Sequence, residues 1–434
     1  MGARAASQWV DNWEVGMRRK LCAVAAAAIM AAAAPAVNVF VRGGTAAAAP
    51  RSELTPQAAA GVVSPTGTAS PVDPASSDAS SSNAARGGGT AGAARNTAAV
   101  ARPAPATRTT ATGAPSSGGG SPQAGPLRAL AARRGIVMGA SVMTASNLTD
   151  TTYASVLGSE YSAMTPENDM KWSATEPGPG VYNFVSPDLD VSFAQAHGMA
   201  VRGQNLSWWA DNPSWLTNVP YTRDQLISIL HDHISTVVGH FRGKVAQWDV
   251  VNEGLNGGFW MDKIGPEYMD MAFTWAHEAD PSAKLFYNET GAEGLGGKSD
   301  QVYALVRGMK QRGVPIDGVG LESHFDLNPP PLSDIAANMR RLNALGLQAA
   351  ITELDVRVQV PASAPDLDRQ RVVYNGLLAT CVAAANCKTF VTWGFTDKDS
   401  WVPSAYPGYG AALPFDQNYA PKPAYFGLRA ALGG

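Results

Sequence analysis

Eight times between Gly135 and Trp393, a short apolar or β-branched run ends in polar residues and gives way to a helical pattern. The runs cover residues 136–140, 161–165, 200–204, 246–252, 285–288, 318–321, 349–353 and 389–393. Runs this short, bounded by polar residues, read as buried strands. The stretches between them have the helical period. Residues 224–240 place Leu226, Ile227, Ile229, Leu230, Ile234, Val237 and Val238 at helical spacing, and residues 333–345 carry a second such pattern. Eight alternations of strand and helix predict an α/β fold of one kind, a closed (β/α)8 or TIM barrel. An open, doubly wound sheet is the competing architecture, but no Gly-x-Gly-x-x-Gly follows the first run.

Composition separates this region from what precedes it. Residues 43–126 contain no Phe, Trp or Tyr and consist mostly of Ala, Gly, Pro, Ser and Thr. Such a segment buries too little apolar surface to offset its ordering entropy, and it reads as a disordered linker. Residues 127–434 hold nine of the eleven tryptophans and are long enough for one large catalytic domain. In residues 1–42, Arg18, Arg19 and Lys20 precede an Ala-rich apolar run from Leu21 to Val41. A basic cluster before such a run reads as a secretory signal. Met17 is the better natural start, because Asp11 and Glu14 suit such a leader poorly, and the Arg pair also permits twin-arginine export. The alternative is a single membrane anchor, although Pro35 and Asn38 interrupt the run. The expectation is a secreted, monomeric protein whose catalytic domain does not insert into a membrane.

The net charge of −3 gives no basic face for nucleic acid. Of three cysteines, Cys22 lies in the signal-like run, and Cys381 and Cys387 lie in the globular part. In an exported protein that pair is expected to form a disulfide; two small buried thiols are the alternative. The ligands for a zinc site are missing. His231 and His233, two apart on a helix, face different sides and read as part of a solvated helix rather than a metal site. No metal or cofactor is expected.

In a barrel the carboxyl ends of all eight strands meet on one rim. The tips here are Thr165-Pro166-Glu167-Asn168, Gln204-Asn205, Asn252-Glu253, Asn288-Glu289, Glu322-Ser323-His324, Glu353-Leu354-Asp355 and Trp393-Gly394. Carboxylates, amides and indoles gathered at one rim suit a sugar, whose hydroxyls need donors and acceptors and whose ring faces stack on aromatics. Glu253 and Glu353 are both strand-borne, the arrangement that a two-carboxylate glycosidase requires.

These residues resemble glycoside hydrolase family 10, the endo-β-1,4-xylanases. Trp248-Asp249-Val250-Val251-Asn252-Glu253 and Ile351-Thr352-Glu353-Leu354-Asp355 are similar to its two signature segments. The run from Thr165 to Trp172 is similar to its glycone-binding loop, and that from Trp393 to Trp401 to its last-strand loop. Leu413-Pro414-Phe415-Asp416 and Pro421-Lys422-Pro423-Ala424-Tyr425 match its C-terminal end. The resemblance implies a (β/α)8 barrel and retaining hydrolysis of xylan or xylo-oligosaccharides. It makes Glu253 the general acid/base and Glu353 the nucleophile, two carboxyls about 5–5.5 Å apart of which one keeps its proton. It makes His324 and Asp355 a chain that orients Glu353, and gives Asn252 a contact with the 2-hydroxyl of the cleaved sugar. Glu167, Asn168 and Lys171 match the neighbouring glycone subsite. Trp208, Trp393 and Trp401 match ring platforms, with core packing as the alternative for each, and Asn288 matches a supporting strand-tip residue.

The sequence departs from the family in places. Gln204 and Trp209 stand where the family usually has histidines, and Asp211 stands near a usual subsite Gln. Glu289, Thr290 and Gly291 replace Asp-Tyr-Asn, and Glu322 replaces a Gln before Ser-His. Both catalytic carboxylates remain. The departures bear on substrate choice and leave room for another β-glycoside, or for a non-catalytic carbohydrate-binding protein.

Overall fold

The computed structural model describes residues 125–434. The segments read as signal or anchor (1–42) and as linker (43–126) lie outside the described residues, apart from Gly125 and Pro126. Eight parallel strands form the wall: β1 (Val137–Val142), β2 (Ala163–Pro166), β3 (Ala200–Gln204), β4 (Gln247–Asn252), β5 (Lys284–Glu289), β6 (Gly318–Leu321), β7 (Gln348–Val356) and β8 (Cys387–Thr392). Each pairs with the next, and β8 returns to β1 through Val137 opposite Thr389, so the sheet closes into a barrel. The principal outer helices are α1 (Thr151–Glu160), α2 (Val185–Ala196), α3 (Arg223–His240), α4 (Glu267–Ala279), α5 (Gly297–Gln311), α6 (Leu332–Ala344), α7 (Ala364–Ala383) and α8 (Pro423–Ala431).

Local chemistry explains the element ends. The α3 helix opens on a reciprocal cap: the Thr222 hydroxyl accepts from the Gln225 amide, and the Gln225 side chain accepts from the Thr222 amide. Its buried face is Leu226, Leu230, His233, Ile234, Val237 and Val238. That face corrects one expectation. His231 is solvent-facing, but His233 is fully buried, bonded to Glu176 Oε2 at 2.9 Å and stacked on Trp172 with centroids 3.6 Å apart. The histidine belongs to the helix's inner stripe, three residues after Leu230; its Nδ1 has a partner there, while its buried Nε2 has none.

Two irregularities shape the rim. Between β4 and β5 the register slips after Asp249, so that Asn252 comes to lie opposite Asn288. β7 runs to Val356, beyond the expected end at 353, because a two-residue strand, His324–Phe325, pairs alongside it and sets His324 opposite Asp355. At the far end of the barrel, Cys381 near the end of α7 is bonded to Cys387 at the start of β8, with Cα atoms 5.1 Å apart. Among the described residues, no helix is long and apolar enough to cross a membrane.

Candidate active site

Glu353 lies inside β7, 5% exposed, and each of its oxygens is held. Oε1 accepts from Asn288 Nδ2 at 2.7 Å and from Gln204 Nε2 at 3.2 Å. Oε2 lies 3.1 Å from His324 Nε2, and His324 Nδ1 lies 2.8 Å from Asp355 Oδ2. Asp355 Oδ2 also accepts from Trp401 Nε1 at 2.7 Å. Burial opposes a charge on His324, but Asp355 and then Glu353 outweigh it and raise its pKa to about 10. Both ring nitrogens therefore donate at neutral pH, and Glu353 faces a cation.

Asn288 ties the neighbouring strands together. Its amide nitrogen also meets Asn252 Oδ1 at 2.7 Å and Glu322 Oε1 at 3.2 Å, while its oxygen accepts from the Thr352 hydroxyl at 2.7 Å. A flipped amide would aim oxygen at the Glu353 carboxylate, so the orientation is fixed by charge. The backbone of β6 must be bare for this: a Cβ on Gly320 would sit 2.0 Å from Asn288 Oδ1.

Glu253 follows β4 directly, with φ 50° and ψ 38°, a left-handed conformation that few side chains adopt. Its amide donates to Asn288 O at 2.9 Å, which pins the turn against β5. Its Oε2 accepts from Trp209 Nε1 at 2.7 Å and from Asn256 Nδ2 at 2.8 Å. Burial is the largest influence on its proton and raises the pKa; the Trp209 hydrogen bond and the Lys298 charge oppose that, and Glu353 adds to it. The net shift is upward, as a proton donor needs.

The expected glycone residues surround this pair. Glu167 accepts from Ser141 Oγ at 2.6 Å, and burial lifts its pKa to about 7 against the pull of Ser141 and Lys171. Asn168 donates to Met143 O at 2.8 Å and accepts from Lys171 Nζ at 3.0 Å. Lys171 also lies over the Trp208 ring, 5.1 Å from its centroid. Trp208 and Trp401 are half-buried, whereas Trp393 is buried and meets His324 edge-on at 6.2 Å. Trp401 meets the same imidazole at 4.9 Å. Asp211 accepts from the amide of Ser173 at 3.1 Å and from its hydroxyl, so this departure braces the Trp172–Thr175 turn.

The profile of Glycosyl hydrolase family 10 matches residues 126–431. The chain belongs to this family. It is 40% identical over 316 residues to endo-1,4-beta-xylanase B of Thermotoga neapolitana, covering 71% of this chain and 91% of that one. It is 37% identical over 323 residues to endo-1,4-beta-xylanase A of Phanerodontia chrysosporium, covering 73% and 79%. Among solved structures it resembles native xylanase 10B from Thermotoga maritima, at 40% identity and TM-score 0.69, over 71% of this chain and 98% of that one. It also resembles xylanase 10B from Thermotoga petrophila RKU-1 in complex with xylobiose, at 39% identity and TM-score 0.69, over 72% and 98%.

Within this family 10 barrel, three residues near Glu253 escaped the sequence reading as site members. Trp209 was visible only as a departure. Asn256 and Lys298 gave no signal, since their contacts arise from loops that meet only in the fold. Lys298 Nζ lies 2.9 Å from Asn256 Oδ1 and 2.8 Å from Glu289 Oε1, and Glu289 also accepts from Tyr287 Oη at 2.6 Å. Glu322 is a further buried carboxyl; burial, then Glu353 and Glu253, push its pKa well above the usual range. Glu322, His324 and Glu353 offer ligand atoms within 4.8 Å of one another, but both His324 nitrogens are engaged by carboxylates. That geometry suits hydrogen bonding more than metal ligation.

Proposed function

We propose that this family member is a retaining endo-1,4-β-xylanase in which Glu253 is the general acid/base and Glu353 the nucleophile. The observation that carries the assignment is the contrast between the two carboxyls. Glu353 lies inside its strand with both oxygens held by donors, His324 Nε2 at 3.1 Å and Asn288 Nδ2 at 2.7 Å, which fix it for attack. Burial, and to a smaller extent Glu353, raises the pKa of Glu253, the direction that a proton donor needs. In the first half-reaction Glu353 attacks the anomeric carbon while Glu253 protonates the departing glycosidic oxygen. In the second, Glu253 takes a proton from water as that water displaces Glu353 from the glycosyl ester. His324 and Asp355 hold the Glu353 rotamer. Asn252, fixed by Asn288, meets the 2-hydroxyl, and Glu167, Asn168, Lys171 and Gln204 bind the glycone with Trp208, Trp393 and Trp401 around it.

The family relationship and the xylobiose complex of the Thermotoga petrophila relative support xylo-oligosaccharides as the ligand class. The same reading makes the protein exported, monomeric, and divided into a leader, a linker and a catalytic domain from residue 127. Release of phenol from an aryl β-xylobioside, with a panel of β-linked polymers alongside, tests the function. Xylan should be cleaved internally and fastest. Faster cleavage of another β-linked polymer would transfer the assignment to that polymer, and no phenol release would leave a carbohydrate-binding protein.

A further inference from the structure

Resting on the acid/base assignment of Glu253, we propose that Trp209 is a positioning residue which, with Asn256, confines the transferable proton of Glu253 to Oε1. An indole N–H donates and never accepts, and Trp209 Nε1 lies 2.7 Å from Glu253 Oε2. The second partner of that oxygen is an amide, which could point either way. Lys298 decides it: an ammonium has only donors, and Nζ lies 2.9 Å from Asn256 Oδ1. Asn256 therefore turns its NH2 toward Glu253, at 2.8 Å. Lys298 is itself anchored by Glu289 at 2.8 Å. With two obligate donors on Oε2, a proton placed there would crowd two N–H groups and weaken both bonds. It sits on Oε1.

The fold holds the indole where this works. Gly258, in the loop that follows Glu253, has φ +91°, and a Cβ there would come within 2.8 Å of the Trp209 Cβ. The loop thus packs on the base of the Trp209 side chain. The family histidine at this position could donate, accept or carry a charge, depending on pH. Indole has one state, so the clamp on Oε2 does not change with pH.

In the first half-reaction Oε1 gives its proton to the glycosidic oxygen as the carbon–oxygen bond breaks, and the bonding pair stays on that oxygen. In the second, Oε1 takes one proton from the water that attacks the anomeric carbon, while the ester bond to Glu353 breaks. Oε2 keeps both donors throughout, so the carboxyl does not turn between the two steps. The Trp209 hydrogen bond favours the ionised carboxylate and offsets part of the upward push of burial.

The test is the pH profile of kcat/KM for the full chain on phenyl and dinitrophenyl β-xylobiosides. In Trp209→Phe the upper pKa of the profile should rise by about half to one unit, because a donor to the ionised form is gone. The rate on the phenyl substrate should fall about tenfold, while the dinitrophenyl leaving group, which needs no proton, should lose less than about threefold in the glycosylation step. Asn256→Ala should raise the same pKa, which keeps the proposal testable if Trp209→Phe does not fold. Glu253→Ala separates this inference from its premise. Azide should restore its turnover of the dinitrophenyl substrate and give the glycosyl azide of retained configuration. Failure of that rescue would overturn the acid/base assignment and this inference with it. Rescue together with an unmoved or lowered upper pKa in both donor variants would overturn the positioning role alone.

Discussion

At the scale of single residues, Asn288 and His324 are the donors that Glu353 leaves behind when it is removed. In Glu353→Ala the amide and the imidazolium face an empty, positively polarised space. Turnover should vanish, and azide or formate should enter that space and attack the anomeric carbon from the face opposite the leaving group. The product is then expected with inverted configuration, which nuclear magnetic resonance of the glycosyl azide reads directly. Retained configuration would exchange the roles of Glu253 and Glu353. Both glutamates were legible in the sequence because each follows an apolar strand run, and chain position alone carries that information. The clamp on Glu253 was not legible. Trp209 lies 44 residues from Glu253 and Lys298 lies 42 from Asn256, so neither contact leaves a local pattern. His233 was misread for a related reason: its burial follows from Glu176, 57 residues away, supplying a partner.

At the scale of elements, the site depends on how closely adjacent strands approach. β6 passes β5 with Gly320 opposite Asn288, and the missing side chain leaves the space that Asn288 Oδ1 occupies. Gly320→Ala should push Asn288 aside and loosen Glu353, Asn252 and Glu322 together. The expected loss in kcat is about ten- to a hundredfold, with overpacking costing about 1–3 kcal/mol in stability. Steady-state kinetics and a denaturant titration would measure both. A kcat within twofold of the parent would mean that Asn288 does not organise the site. Strand and helix alternation was legible because period and punctuation are local properties. The exact ends were not: β7 is prolonged by its pairing with His324–Phe325, and the β4–β5 slip is a matter between strands. The polar layer inside the barrel, where Arg202 pairs with Asp249 and its Nη1 donates to Gln247 Oε1 at 2.7 Å, also needs the closed wall to exist. In sequence Arg202 is only one charged residue within an apolar run.

At the scale of the molecule, the barrel buries many protons. Burial raises Asp249 and Glu289 to about 6, Glu167 to about 7 and Asp190 to about 8, while Asp355 and Glu353 overcome burial to raise His324 to about 10. Each of these groups binds its proton more tightly in the folded chain than in the unfolded one. Their contribution to stability is complete below the unfolded values, diminishes as pH rises from the unfolded towards the folded values, and is gone above the folded ones, which lie from about 6 to about 10. His233 acts in the opposite sense, since burial lowers its pKa and favours folding above its ordinary range. The melting temperature should therefore fall from about pH 4 to about pH 8, as the unfolded chain gives up the protons that the buried acids keep. Asp190 is the sharpest case. It lies on α2, is fully buried, and neither side-chain oxygen has a hydrogen-bond partner. After burial, the nearby Asp169 carboxylate is what raises it, and Asp169 is held by the Ala145 amide at 2.6 Å. An ionised Asp190 would set two carboxylates together between α2 and the loop after β2. Asp190→Asn keeps the shape and removes the titration. It should leave the melting temperature at about pH 4 nearly unchanged and recover on the order of 1–3 kcal/mol by about pH 8, which is about 2–6 °C for a domain of this size. Calorimetry of both proteins across that range would show the difference growing with pH. A difference that is constant with pH, or largest in acid, would mean that Asp190 is already ionised in the folded barrel.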